Sequence, residues 1–109
     1  MLRVAKRFDC EINSVLVNRY KDGSCCIPWH SDDEPALGEC PTIYSLSLGD
    51  ARIFEIKGKT SRIVKKINLY DGTMVVMKGA MQRQWLHRVP ECDSVHPRLN
   101  LTFRLMHRT

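Results

Sequence analysis

The sequence lacks the features of a membrane or secreted protein. No apolar run approaches the roughly 20 residues that a membrane-spanning helix requires, and the first ten residues contain no apolar signal-peptide core. Repeats, low-complexity segments and a long amphipathic helix are also missing. With 109 residues, 43% hydrophobic and 27% charged, we expect one globular domain in an intracellular, cytoplasmic setting.

Paired cysteines are missing as well. The five cysteines are odd in number, irregular in spacing and contain no C-x-x-C pair, which favours free thiols over a disulfide framework. A structural zinc domain remains an alternative, although the cysteines and histidines are not spaced in the paired-knuckle pattern of such sites. Its candidate ligands are Cys25, Cys26, His30, Cys40, Cys92 and His96.

Positive charge exceeds negative charge. The chain has 17 lysines and arginines against 12 acidic residues, a formal net charge of +5, and many of the basic residues lie in KGKTSRIVKK at 57–66. Such a field favours polyanions, nucleic acid first among them. A non-catalytic basic β-domain that binds RNA is therefore a second alternative, and a merely solvated basic surface explains the charge equally well.

Short alternating segments punctuated by Gly, Pro and Asp predict a mainly β protein. This pattern is typical of a sandwich, a jelly roll or a small barrel. The predicted strands are 13–20, 42–49, 51–58, 62–70, 73–79, 84–90 and 98–107.

A histidine and an aspartate two positions apart form the first candidate metal-binding pair. In an extended segment His30 and Asp32 project from the same face, where an imidazole and a carboxylate can bind one cation. His87, in the apolar segment QWLHRVP, is the candidate third ligand. Two histidines and one carboxylate leave open coordination positions, as in non-haem Fe(II) oxygenases.

The last predicted strand divides its side chains between two faces. One face carries leucines and a phenylalanine, and the other carries Arg98, Asn100, Thr102 and Arg104. The polar face is either a solvated edge or the lining of a pocket in which guanidinium groups bind carboxylates. In NRY at 18–20 an amide and a phenol suited to the same pocket share a face.

Taken in order, these motifs resemble those of the AlkB family of Fe(II)- and 2-oxoglutarate-dependent dioxygenases. They are N-x-Y (Asn18, Tyr20), H-x-D (His30, Asp32), a later His87 and R-x-N-x-T-F-R (Arg98 to Arg104). Among AlkB domains, HSDDE followed by TIYSLSLGDARIFEI is most similar to those of plant RNA virus replicase polyproteins, which would place the chain in host cytoplasm. The resemblance implies a double-stranded β-helix, a jelly-roll variant. It also implies a single AlkB-like domain over 1–109 that lacks most of an N-terminal nucleotide-recognition lid.

The resemblance implies a role for each polar residue of these motifs. His30, Asp32 and His87 would hold Fe(II), and Arg98 would pair with the distal carboxylate of 2-oxoglutarate, assisted by Tyr20. The residues that would support the rest of the cosubstrate are Asn18, Asn100 and Arg104. With O2, such an enzyme oxidatively demethylates N1-methyladenine or N3-methylcytosine and releases formaldehyde, succinate and CO2.

The implied substrate is methylated single-stranded RNA or DNA, with RNA preferred. Glu34 and Asp33 would face the cationic methylated base, which a carboxylate favours over the neutral base; a solvated turn ahead of Pro35 explains them equally well. Trp29 and Trp85 are candidates for stacking on the base or for walling the site, and burial alone also explains both. The sequence leaves the oligomeric state open.

Overall fold

The computed structural model describes residues 12–32, 35–37, 41–60, 63–78 and 81–106. Within these ranges the chain forms eight strands, a 3-10 turn at Pro35–Leu37 and one short helix, α1 (Met81–Gln84). The strands are β1 (Ser14–Tyr20), β2 (Ile27–His30), β3 (Ile43–Gly49), β4 (Arg52–Gly58), β5 (Val64–Leu69), β6 (Met74–Met77), β7 (Trp85–Val89) and β8 (Arg98–Arg104).

The strands form two antiparallel four-stranded sheets. One has the order β1-β8-β3-β6 and the other the order β2-β7-β4-β5. Each sheet therefore alternates strands from the two halves of the chain, which is the connectivity of a jelly roll. The expected mainly β fold is confirmed.

All seven strands predicted from alternation are present, with ends that differ by up to three residues. The structure adds β2, which has only four residues and contains a proline, so that it carries little alternation of its own. It also adds α1 ahead of β7, where the sequence predicted a strand from residue 84. No helix in the described part of the chain has the length and apolarity needed to cross a membrane.

The apolar core draws on both sheets. Its buried members are Tyr20, Leu37, Ile43, Phe54, Leu69, Met77 and Val89. Ile43 is fully buried and pairs with Met77 across β3 and β6. Because β1, β3 and β6 belong to one sheet and Phe54 and Val89 to the other, the core lies between the sheets and sets the distance between their inner faces.

The polar face of β8 also points into the interior. Arg98 and Asn100 are 2% and 7% exposed, whereas Leu99, between them, is 38% exposed. Arg98 pairs with Tyr20 of β1 and with Gly49 of β3. A buried arginine and a buried amide in a sheet interior are costly unless they serve a ligand or a network. The burial of this polar face therefore indicates a polar pocket between the sheets.

Candidate active site

The site begins at a cross-strand pair of histidines. β2 pairs with β7 so that His30 lies directly opposite His87, and their ring centroids are 4.2 Å apart. Asp32 follows His30 by two positions, just beyond the end of β2. The antiparallel register therefore brings together two residues that are 57 positions apart in the sequence.

The three side chains converge on one point. The Nε2 atom of His30 lies 3.8 Å from Oδ1 of Asp32, and Nε2 of His87 lies 3.8 Å from Oδ2 of the same carboxylate. One ligand atom from each residue lies within 4.8 Å of the others. The donor set of two imidazoles and one carboxylate suits a divalent first-row transition metal and leaves coordination positions open.

The backbone orients the first imidazole. Nδ1 of His30 lies 2.9 Å from the carbonyl oxygen of Pro28, so that Nδ1–H donates to this carbonyl and Nε2 faces Asp32. Metal-binding histidines are commonly oriented by such a bond from the second ring nitrogen.

The second imidazole is buried and neutral. His87 is 5% exposed, and its ring centroid lies 5.4 Å from that of Phe54. Burial, and secondarily the charge of His30, lowers the pKa of His87 to about 4. A neutral imidazole is the form that binds a metal, so His87 is in its ligating form at physiological pH.

Arg98 forms a second polar group in the interior. One guanidinium nitrogen, Nη2, donates to Oγ of Ser47 at 2.9 Å. Nε and Nη1 are buried and have no hydrogen-bond partner among the described residues. Burial lowers the pKa of Arg98, and the neighbouring Tyr20 phenol opposes this shift. Two N–H groups of this buried cation are therefore available to an anionic ligand.

Tyr20 lies close to two guanidinium groups. Its ring centroid is 4.6 Å from Cζ of Arg98 and 5.5 Å from Cζ of Arg52. Burial raises the pKa of Tyr20, against the lowering effect of both arginines. The phenol is therefore neutral at physiological pH and can donate a hydrogen bond to an anion.

The amide of Asn100 is held by neighbouring side chains. Nδ2 donates to Oγ of Ser45 at 2.7 Å, and Oδ1 accepts from Oγ1 of Thr102 at 2.9 Å. Asn18 lies directly opposite Asn100 in the pairing of β1 with β8. These bonds fix the orientation of the carboxamide before any ligand binds.

One cavity between the sheets contains all eight of the residues assigned to metal or cosubstrate. They are Asn18, Tyr20, His30, Asp32, His87, Arg98, Asn100 and Arg104, all of which line the same cavity. Its apolar walls include Ile27, Phe54 and Leu69. A metal-binding cluster and a buried guanidinium in one cavity fit a cosubstrate that chelates a metal at one end and carries a carboxylate at the other.

The structure describes two of the four residues assigned to substrate. Neither Trp29 nor Trp85 lines this cavity. The Trp29 ring instead lies 4.3 Å from Nζ of Lys57 and 4.6 Å from Cζ of Arg88, within cation–π distance of both. Asp33 and Glu34 lie outside the described residues.

The described cysteines do not form the zinc site of the alternative interpretation. Cys25, Cys26 and Cys92 are free thiols, as the sequence predicted. None of them belongs to the metal-binding cluster identified among the described residues. Cys40, the fourth candidate cysteine, lies outside these residues.

Sequence reasoning missed three buried polar residues around the site. Ser47 is 1% exposed and bonds Arg98. Arg52 is 3% exposed, and its Nη2 donates to the carbonyl oxygens of Cys25 and Pro90 at 2.8 and 2.7 Å. Gln82 is 1% exposed and bonds the backbone of Asp32. Only Ser47 could have been recognised from the sequence, as a small polar residue within the alternating strand β3. Nothing in the local sequence marks an arginine or a glutamine as buried.

Comparison with known proteins agrees with this geometry. A family model of the 2OG-Fe(II) oxygenase superfamily matches residues 2–104. The chain is 44% identical to the alpha-ketoglutarate-dependent dioxygenase alkB homolog 3 of Mus musculus, over 96% of this chain and 40% of that protein. It is 39% identical to the DNA oxidative demethylase ALKBH2 of Arabidopsis thaliana, over 86% of this chain and 38% of that protein.

A solved structure shares the fold. The structure of OsALKBH1 superimposes with a TM-score of 0.69 and 25% identity, over 87% of this chain and 48% of that one. The chain thus spans about 40% of the length of the curated relatives it matches.

Proposed function

Because this chain belongs to the AlkB family within the 2OG-Fe(II) oxygenase superfamily, we propose that it is an Fe(II)- and 2-oxoglutarate-dependent oxidative demethylase of N-methylated bases in nucleic acid. When bound, Fe(II), 2-oxoglutarate and O2 supply the oxidation that removes an N-methyl group as formaldehyde, with release of succinate and CO2. The chain's own residues would bind, orient and shield these groups.

The observation that carries the proposal is the convergence of three ligands beside a buried guanidinium. His30, Asp32 and His87 place their ligand atoms within 4.8 Å of one another. Arg98 lines the same cavity with two buried N–H groups that have no partner among the described residues. A structural metal site needs no such arginine, whereas a dicarboxylate cosubstrate does.

We assign the residues by what their atoms offer. His30, Asp32 and His87 would hold the metal, and Arg98 would bind the distal carboxylate through its guanidinium N–H groups. The neutral phenol of Tyr20 would donate a further hydrogen bond to that carboxylate. Asn18, Asn100 and Arg104 line the cavity and would contact the rest of the cosubstrate.

The substrate assignment extends this proposal to nucleic acid. The relatives are named as a dioxygenase and as DNA oxidative demethylases, and the net charge of +5 favours a polyanion. We propose methylated single-stranded RNA or DNA, with N1-methyladenine and N3-methylcytosine as target bases and RNA preferred. The single-domain bounds, the intracellular location, the viral resemblance and the base-facing roles of Asp33, Glu34, Trp29 and Trp85 stay predictions.

A turnover assay tests the function. Formaldehyde and succinate are measured with N1-methyladenine and N3-methylcytosine in matched RNA and DNA oligonucleotides, with and without 2-oxoglutarate. We expect release of both products only when Fe(II) and 2-oxoglutarate are present. The rates on the RNA and DNA forms of one sequence decide the nucleic-acid preference.

Two histidine variants make the assay specific. His87→Ala removes a proposed metal ligand and is expected to abolish turnover, whereas His96→Ala removes an exposed histidine outside the cavity and should retain it. In an anaerobic sample, Fe(II) with 2-oxoglutarate should also give a weak visible charge-transfer band that His87→Ala lacks. Failure of the wild-type chain to bind the cosubstrate would contradict the proposal.

A further inference from the structure

Asp32 is the one residue of the metal-binding cluster that lies outside a strand. His30 ends β2 and His87 lies within β7, so the sheet holds both of their backbones. The Asp32 side chain is also 25% exposed, against 6% for His87. A carboxylate on an irregular segment needs another interaction to stay in a productive orientation, because free loop residues sample many backbone conformations.

A buried glutamine supplies such an interaction. Oε1 of Gln82 accepts a hydrogen bond from the backbone N–H of Asp32 at 2.7 Å. Gln82 is 1% exposed, and its Nε2 lies 3.8 Å from Sδ of Met77, a weak acceptor. The strongest hydrogen bond that the structure gives this carboxamide therefore goes to the metal-binding segment, 50 positions away in the sequence.

The cost of burying Gln82 argues that this bond is functional. Burial of a glutamine loses side-chain rotamer freedom and removes a polar amide from water. An apolar residue of similar volume would fill the same space without that cost. Among the described residues Oε1 recovers part of the cost through the N–H of Asp32, so the geometry of the Asp32 segment is what the glutamine stabilises.

The chain connectivity couples this bond to the second histidine. Gln82 lies in α1, which leads directly into β7, and His87 follows in that strand. One continuous segment thus carries a metal-binding imidazole and the acceptor that holds the backbone of Asp32. Any displacement of this segment moves both ligands together.

We propose that Gln82 is a positioning residue for the metal centre: its buried carboxamide holds the backbone of Asp32 and thereby pre-organises the carboxylate for metal binding. This inference rests on the proposed function, because it requires that the cluster binds a metal. Residues that orient metal ligands without touching the metal typically change affinity by roughly 10- to 100-fold when substituted. We expect an effect of that size.

Titration with Mn²⁺ alone tests the inference without turnover. The affinity is measured for the wild-type chain, Gln82→Met, Gln82→Glu and Gln84→Met. Gln82→Met keeps the length of the side chain and removes the acceptor, whereas Gln82→Glu retains an oxygen at the same reach. Gln84 is exposed on the same helix and provides the matched control.

The expected result is a loss of roughly 10- to 100-fold in Mn²⁺ affinity for Gln82→Met, a smaller loss for Gln82→Glu and none for Gln84→Met. The unfolding temperature is measured with and without metal for each variant. A role in packing alone would lower the metal-free unfolding temperature and leave the Mn²⁺ affinity unchanged, and this outcome would overturn the inference. If the wild-type chain binds no Mn²⁺, the proposed function fails together with the inference.

Amide hydrogen exchange in the wild-type chain gives an independent measurement. The N–H of Asp32 is expected to be protected even in the metal-free chain, because Gln82 accepts from it. Rapid exchange at Asp32, at the rate of an exposed loop amide, would overturn the inference even if no Gln82 variant folds.

Discussion

His30 and His87 face each other directly across β2 and β7, with ring centroids 4.2 Å apart. At this distance two protonated imidazoles would repel each other, whereas two neutral imidazoles can share one cation with the carboxylate of Asp32. The register of a single strand pair thus determines the spacing of the two imidazoles.

The first prediction concerns pH in the metal-free chain. His87 has a pKa of about 4 when folded, against an ordinary value of 6.5. Between these values the unfolded state binds more protons than the folded state, so folding is weakened as the pH falls from 6.5 towards 4. Urea unfolding in EDTA measures the effect as the difference between the wild-type chain and His87→Gln at each pH.

His96→Gln is the control for this profile, because His96 is exposed on a loop. Its pH dependence should match that of the wild-type chain. An NMR titration of the wild-type chain provides the direct value, and an ordinary pKa near 6.5 for His87 would contradict the prediction. In His30→Ala the pKa of His87 should rise without reaching that value, because burial is the larger cause of the shift.

The second prediction separates cosubstrate binding from stability at Arg98. Arg98→Met removes the guanidinium group. It should raise the 2-oxoglutarate KM roughly 10- to 150-fold, as expected for the loss of about 1.5 to 3 kcal/mol of charge-assisted hydrogen bonding. The free energy of unfolding of the metal-free chain should not fall, because the variant also removes a buried cation that forms no ion pair among the described residues. Steady-state kinetics and urea unfolding measure the two effects.

Arg19→Met is the matched control, since Arg19 is exposed on β1, directly opposite Leu99, the neighbour of Arg98. It should leave the 2-oxoglutarate KM unchanged. Nucleic-acid affinity is measured for both variants. If Arg98→Met weakened nucleic-acid binding as much as cosubstrate binding, its assignment to the carboxylate would be wrong.

The third prediction concerns Arg52, a buried residue close to the Tyr20 ring. Its Nη2 bonds the carbonyl oxygens of Cys25 and Pro90, and so joins the segment after β1 to the segment after β7. Arg52→Met leaves both carbonyls without this donor and should lower the free energy of unfolding by about 2 kcal/mol or more. Urea unfolding of Arg52→Met beside Arg19→Met tests this, and equal stability of the two variants would contradict it.

The fourth prediction concerns Gly23, which approaches the backbone of Cys92. A Cβ atom on Gly23 would overlap the Cys92 carbonyl oxygen and lie 2.7 Å from its carbonyl carbon. Backbone atoms cannot rotate away, and the two residues are joined by a hydrogen bond from Cys92 N to Gly23 O at 3.0 Å. Gly23→Ala should therefore lower the free energy of unfolding by about 1 to 3 kcal/mol, the range for overpacking.

Gly72→Ala distinguishes crowding from backbone strain. Gly72 has a φ of +83°, and a Cβ added there would meet no atom within 4 Å. Its substitution therefore costs only the strain of a left-handed residue, roughly 1 to 2 kcal/mol. Thermal unfolding of both variants compares the two causes. If Gly23→Ala proved as stable as the wild-type chain, this result would contradict the close approach of the Gly23 and Cys92 backbones.

Much of the fold was predictable from the sequence, because strand alternation is a local property. The alternating run at 42–49 predicted β3, and the alternation of Arg98, Asn100 and Thr102 predicted that they share a face. The spacing of His30 and Asp32 likewise predicted a common direction, which the structure shows. By contrast, β2 has four residues and a proline, so it carries too little periodicity to be recognised.

The tertiary structure decided what local patterns leave open. Either face of β8 was a candidate for the interior, and the pairing with β1 and β3 places Arg98 inside. The bond from Asp32 to Gln82 and the two carbonyls bound by Arg52 join residues that are distant in the sequence. Their identities as glutamine and arginine are typical of surfaces, so only the packing of distant segments reveals them as buried. The sequence by itself determined which side chains project together along each strand, and the packing of the two sheets determined which of them meet.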